Sequence, residues 1–127
     1  MDARIDPQRA LGLEQGDAHV LRNAGAAVTD DVLRSLVLSQ RLMATTTVVI
    51  MAHTDCGLRK VHDDALAAEL EAETGAAPPF AFGSFFDLDE HVRLQVERVR
   101  ACPWLPARDD VRGCVLDIAS GSVRAVV

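Results

Sequence analysis

What this sequence lacks narrows its function before any motif is considered. Among its 127 residues there is no Tyr, one Trp and four Phe, so no aromatic platform for stacking nucleic-acid bases is visible. Lys and Arg number 13 against 19 Asp and Glu, a formal net charge of -6. No basic run resembles a phosphate-binding footprint, which argues against a nucleic-acid partner. The central apolar run, residues 48–52, is far too short to cross a membrane. The start MDARIDPQRA is charged at once and lacks the apolar stretch of a signal peptide. Three cysteines are an odd count in a loop-poor chain, which points away from a disulfide framework and toward a reducing cytoplasm. Internal repeats and low-complexity segments are missing as well.

What remains is ordinary globular composition, 49% apolar and 25% charged, and residues 1–127 are expected to form a single domain. Asp6-Pro7 marks a helix start, with Asp as cap and Pro at the first helical position, and the helix should end near Gly12 or Gly16. Residues 19–22, HVLR, read as a strand closed by a turn at Asn23-Ala24-Gly25. Thr29 then caps the best helix of the chain, whose first turn carries Asp30 and Asp31. Val32, Leu33, Leu36, Val37 and Met43 keep helical spacing, while Leu38 and Leu42 widen the stripe. That helix is expected to be covered on more than one side.

The chain turns on residues 47–57, TVVIMAHTDCG. The β-branched apolar run predicts a strand buried on both faces. It stops at His53, with Cys56 three residues later. An imidazole and a thiol at that spacing, leaving the end of a buried strand, can reach one small cation. Zinc is the natural candidate, because it accepts nitrogen and sulfur ligands. Taken alone, H-x-x-C is a weak signal and is more often structural.

Beyond it, residues 62–74 predict an acidic, alanine-rich helix stopped by Gly75. Residues 75–84 are expected to form a loop whose apolar tip, with Phe80, Phe82, Phe85 and Phe86 in and after it, reads as hydrophobic anchoring ahead of a partner contact or pocket wall. Asp87 with Glu90 resembles a capping box. Leu88, Val92, Val96 and Val99 follow at helical spacing, and Pro103 ends that helix. Residues 111–118 read as a strand, 120–122 as a turn and 123–127 as a final strand. Strands alternating with helices predict an α/β fold, a mostly parallel central sheet flanked by helices. Ligands in such sheets sit beyond the carboxyl ends of strands, where His53 and Cys56 fall. Cys114 is expected to be inert core, and Cys102 sits at a helix end. His62 is weighed as a proton relay against the commoner reading of a solvent-facing helix start. His91 is expected on a helix surface.

MDAR at the start, HVLRNAG at 19–25, TDDVLRSLVLSQ at 29–40 and HTDCG at 53–57 resemble β-class carbonic anhydrases, the short bacterial members most of all. The likeness runs in family order to the RGCVLDIASGSV segment. The family pattern is C-x-D-x-R followed by H-x-x-C. Carried over, His53 and Cys56 match two zinc ligands, and Asp2 and Arg4 match the Asp–Arg pair beside the metal; His19 matches a strand position. The family's first ligand is a cysteine two residues before that Asp, and here only Met1 precedes Asp2. The resemblance implies a β-carbonic-anhydrase-like domain without the family's N-terminal helix and most of its first strand.

It further implies reversible hydration of carbon dioxide to bicarbonate through zinc-bound hydroxide, with Asp2 accepting a hydrogen bond from it and Arg4 holding Asp2 ionised. In some members the equivalent Asp swings onto the metal. Homodimers built into larger assemblies are also implied. Two alternatives stand beside this reading. One is a degenerate, non-catalytic member with weak or no zinc binding; the other is a hydrolase of carbonyl sulfide or carbon disulfide on the same scaffold.

Overall fold

The computed structural model describes residues 1–127, and local chemistry accounts for most of its helix boundaries. Helix α1 (Pro7–Leu11) starts where the Asp6 carboxylate accepts the N–H groups of Gln8 and Arg9, and stops at left-handed Gly12. Helix α2 (Asp30–Met43) starts at Thr29, which accepts from the Val32 N–H. Strand β1 (Val48–His53) follows, then helix α3 (Asp63–Thr74), closed by left-handed Gly75. Helix α4 (Leu88–Arg100) is capped by Asp87, whose carboxylate accepts the Glu90 N–H at 2.9 Å. Strands β2 (Val111–Leu116) and β3 (Val123–Ala125) complete the chain. No helix is long and apolar enough to cross a membrane.

The sheet order is β1-β2-β3. Strands β1 and β2 run parallel, in a register that sets Val48 opposite Val111 and His53 opposite Leu116. Strand β3 returns antiparallel to β2. The expected α/β architecture is therefore present as a small mixed sheet. Its core lies where α4 crosses β2: Val92, Val96 and Val99 are fully buried, and Val115 nearly so. Gly113 makes that approach possible, since a Cβ there would stand 2.5 Å from Val92 Cγ1 and 2.9 Å from Val127 Cγ1. Buried polar groups are paired. Gln40 donates to the Ala107 carbonyl at 2.9 Å and accepts its N–H at 3.0 Å, and Gln95 accepts the Val28 N–H at 2.8 Å.

Four sequence expectations are corrected here. Residues 19–22 form no strand, because no neighbour supplies a ladder and their side chains are exposed. Strand β1 is not buried on both faces: it is an edge strand, and Val49 is 46% exposed. Helix α2 is covered along one side only, its Val32, Leu33, Leu36 and Val37 packing on the core. Leu38 and Leu42, which widen the stripe, are exposed, and so is Met43 at its C-terminal end. His91 is not a surface residue but is buried on α4, for a reason the site makes plain.

Candidate active site

The carboxyl end of β1 is pinned before it delivers its side chains. The Thr54 N–H donates to the Leu116 carbonyl at 2.9 Å, and the Thr54 hydroxyl accepts the Ile118 N–H at 2.9 Å. His53 Nδ1 lies 2.8 Å from the Thr54 carbonyl oxygen. A carbonyl only accepts, so Nδ1 carries the proton there, and in the neutral form of the ring Nε2 presents a lone pair. That nitrogen faces Asp2 Oδ2 at 3.9 Å. Cys56 is buried and immediately precedes the short 3₁₀ turn Gly57–Lys60.

Asp2 and Arg4 are brought to the same place from the start of the chain. The Arg4 Nε donates to Asp2 Oδ1 and Oδ2 at 3.0 and 3.2 Å, and its Nη2 donates to Oδ2 at 2.7 Å. The Arg4 backbone N–H adds a further bond to Oδ1 at 2.9 Å. These donors hold the Asp2 carboxyl well below the usual carboxylate range, with the Arg4 side chain the largest cause and its backbone N–H the next. The segment is tied to neighbouring groups by hydrogen bonds. The Met1 amine donates to the Asn23 carbonyl at 2.8 Å, and Arg22 donates to the carbonyls of Asp2 and Ile5 at 2.6 and 2.9 Å.

Beneath it, the turn at residues 23–26 is fixed from the core. Gly25 takes φ +71° under Leu58, and a Cβ there would stand 2.7 Å from Leu58 Cδ1. His91 Nε2 donates to the Gly25 carbonyl at 2.7 Å, and its ring stacks on Phe85 with centroids 3.9 Å apart. Burial pushes the His91 imidazole pKa down. A histidine three residues after Leu88 falls on the buried stripe of α4, a placement the apolar spacing alone does not single out.

The donors here suit zinc in kind. His53 Nε2 and Asp2 Oδ2 face each other at 3.9 Å, nitrogen and oxygen donors of the kind zinc accepts, and Cys56 lies three residues on with a buried thiol. They fall short in number, since no three His, Cys, Asp or Glu side chains converge closely enough to hold a metal ion. The other candidates lie elsewhere. Cys102 and Cys114 are buried in the core, where burial pushes the Cys114 thiol pKa up. His62 is exposed, with its ring 5.7 Å from that of Phe86, and His19 meets the Ser39 hydroxyl of α2 at 2.7 Å. The sequence reading missed Asp55, which takes the far side of Arg4 at 2.9 Å and has Lys60 at 3.6 Å. An open groove of about 450 Å³ borders Arg4, with Arg9, Leu116 and Ile118 also on its wall.

Comparison with known proteins adds an independent line. The family model described as "Carbonic anhydrase" matches residues 1–123. The chain is 43% identical over 126 residues to Beta-carbonic anhydrase 1 of Mycobacterium tuberculosis, covering 99% of this chain and 77% of that protein. It is 31% identical over 144 residues to a carbon disulfide hydrolase of Acidithiobacillus thiooxidans, covering 98% of this chain and 72% of the other. The crystal structure of carbonic anhydrase from Streptococcus mutans superposes with a TM-score of 0.93 at 38% identity, covering 100% of this chain and 77% of that one.

Proposed function

This chain belongs to the β-class carbonic anhydrase family, and from that premise we propose that it catalyses the reversible hydration of carbon dioxide to bicarbonate, with zinc as cofactor. The observation that supports this most is the ionised Asp2 carboxylate, clamped by Arg4 and set 3.9 Å from Nε2 of His53. His53 and Cys56 are the residues that would hold zinc. When bound, zinc supplies the Lewis acidity that brings the pKa of water toward neutrality.

The chain's own groups do the rest. Asp2 accepts a hydrogen bond from the attacking oxygen and sets its direction. Arg4 keeps that acceptor charged and in place, as a planar fork of donors does for a carboxylate. Leu116 and Ile118 give the bordering groove an apolar stretch of wall suited to an uncharged gas, beside a charged stretch of Arg4, Arg9, Asp6 and Asp117.

A cytoplasmic homodimer or larger homo-oligomer is part of the proposal, supported by the exposed apolar stripe of Leu38, Leu42 and Met43 on α2. Hydrolysis of carbon disulfide or carbonyl sulfide is the second reading, favoured by the 31% identity to a carbon disulfide hydrolase. A degenerate, weakly metal-binding member is the third, favoured by the shortage of converging ligands. Steady-state assays with each gas, run beside elemental analysis of the same preparation, separate the three. Carbon dioxide turnover with bound zinc is expected. Turnover of a carbon–sulfur gas alone supports the second reading, and an inactive, zinc-free protein supports the third.

A further inference from the structure

Arg4 does not serve one carboxylate. Its guanidinium spans two, and the second belongs to the loop that carries His53 and Cys56. Its Nη1 donates to Asp55 Oδ2 at 2.9 Å and its Nη2 to the Asp55 backbone carbonyl at 3.3 Å. The opposite edge, Nε and Nη2, is turned to Asp2. Asp55 reaches Arg4 from a left-handed backbone, φ +53°, a conformation in which Asp and Asn are enriched among non-glycine residues. Its other carboxylate oxygen, Oδ1, has Lys60 Nζ at 3.6 Å. Residues 51 positions apart are thus joined through one planar fork.

We propose that Asp55 is a positioning residue: by holding the far edge of Arg4 it fixes the plane in which Arg4 presents Asp2 to His53. Without Asp55, Arg4 retains its bonds to Asp2 but is free to swing, and the Asp2 carboxylate swings with it. The Asp55 side chain is 58% exposed, so its ion pairs contribute little to stability. Its effect is on geometry, to which rate is far more sensitive. The inference rests on the reading of Asp2 as the acceptor that directs the attacking oxygen.

Two substitutions suit the left-handed backbone. Asp55→Gly removes the side chain, and Asp55→Asn keeps one acceptor oxygen without the charge. Asp55→Gly is expected to lower kcat about tenfold with KM unchanged, as befits a misplacement near the reacting groups. Asp55→Asn should recover part of that loss. In an Arg4→Ala background, Asp55→Gly should cost nothing further, because the two act as one unit.

A second readout does not depend on activity. In ¹H–¹⁵N spectra the Arg4 Nε–H, bonded to Asp2, is expected to give a resolved, exchange-protected signal that shifts and broadens in Asp55→Gly. An unchanged Arg4 Nε–H signal in Asp55→Gly overturns the positioning role whatever the activity, and so does an undiminished kcat in an active protein. If the wild-type chain hydrates no carbon dioxide, the proposed function fails, while the Nε–H signal still decides for or against Asp55.

Discussion

Where α4 crosses β2 the molecule is held by shape; at the carboxyl end of β1 it is held by charge. The first region buries Val92, Val96 and Val99 completely and needs a glycine at 113 to let the helix approach. The second joins Asp2, Arg4, Asp55 and Lys60 on the surface, with side chains between 19% and 78% exposed. Apolar burial supplies most of the free energy of folding, whereas exposed ion pairs contribute at most about 1 kcal/mol each. The two regions should therefore fail separately. Damage to the first lowers stability, and damage to the second lowers activity in a protein that still folds.

The largest effect that sharpens this contrast is expected in the core. Val96→Ala should destabilise the fold by about 3 kcal/mol, a transfer loss plus a cavity. Chemical denaturation measures it, and the surviving folded fraction should turn over at the wild-type rate. In the site, Asp2→Ala should lower kcat/KM about a hundredfold, equivalent to about 2.7 kcal/mol of transition-state stabilisation. Its thermal midpoint should stay within about 2 °C of wild type. A large drop in that midpoint breaks the comparison.

Gly113→Ala comes next, at about 2 kcal/mol, because its Cβ would stand 2.5 Å from Val92 Cγ1. The same measurement checks it.

The smallest effect concerns pH. Burial lowers the His91 pKa below its ordinary 6.5, so the unfolded chain binds this proton more readily than the folded one. Stability from this group is complete above the unfolded pKa and is lost as pH falls through that value toward the folded pKa. His91→Gln, which retains a donor for Gly25 without titrating, should flatten the stability profile just below 6.5.

How much of this was legible in the sequence differs between the two regions for physical reasons. The caps at Asp6, Thr29 and Asp87 and the α4 stripe are local, and they appear in the structure as read. Parallel pairing of β1 with β2 also follows from the alternation of helices and strands. Exposure of Val49 and of the outer α2 stripe was not legible, because burial depends on what lies alongside and composition records only what is suited to be buried. Residues 19–22 have a strand's composition, yet a strand exists only through a partner.

Within the site, His53 and Cys56 stand out by spacing, and Asp2 with Arg4 by resemblance. Asp55 lay in plain view between the two ligand candidates. Its contact spans 51 positions and depends on a left-handed backbone, which no periodicity displays. His91 was misread because only apolar residues were counted in the stripe, although it lies one helical turn after Leu88 and its ring is satisfied by Gly25 and Phe85.

The most direct test is stopped-flow hydration of carbon dioxide by the zinc-supplemented wild-type chain beside a His53→Ala/Cys56→Ala variant shown by its melting curve to be folded. Saturable hydration by the wild type, falling to the buffer rate in the variant, is the expected result. Equal rates in the two proteins would contradict the assignment of the reaction to the end of β1.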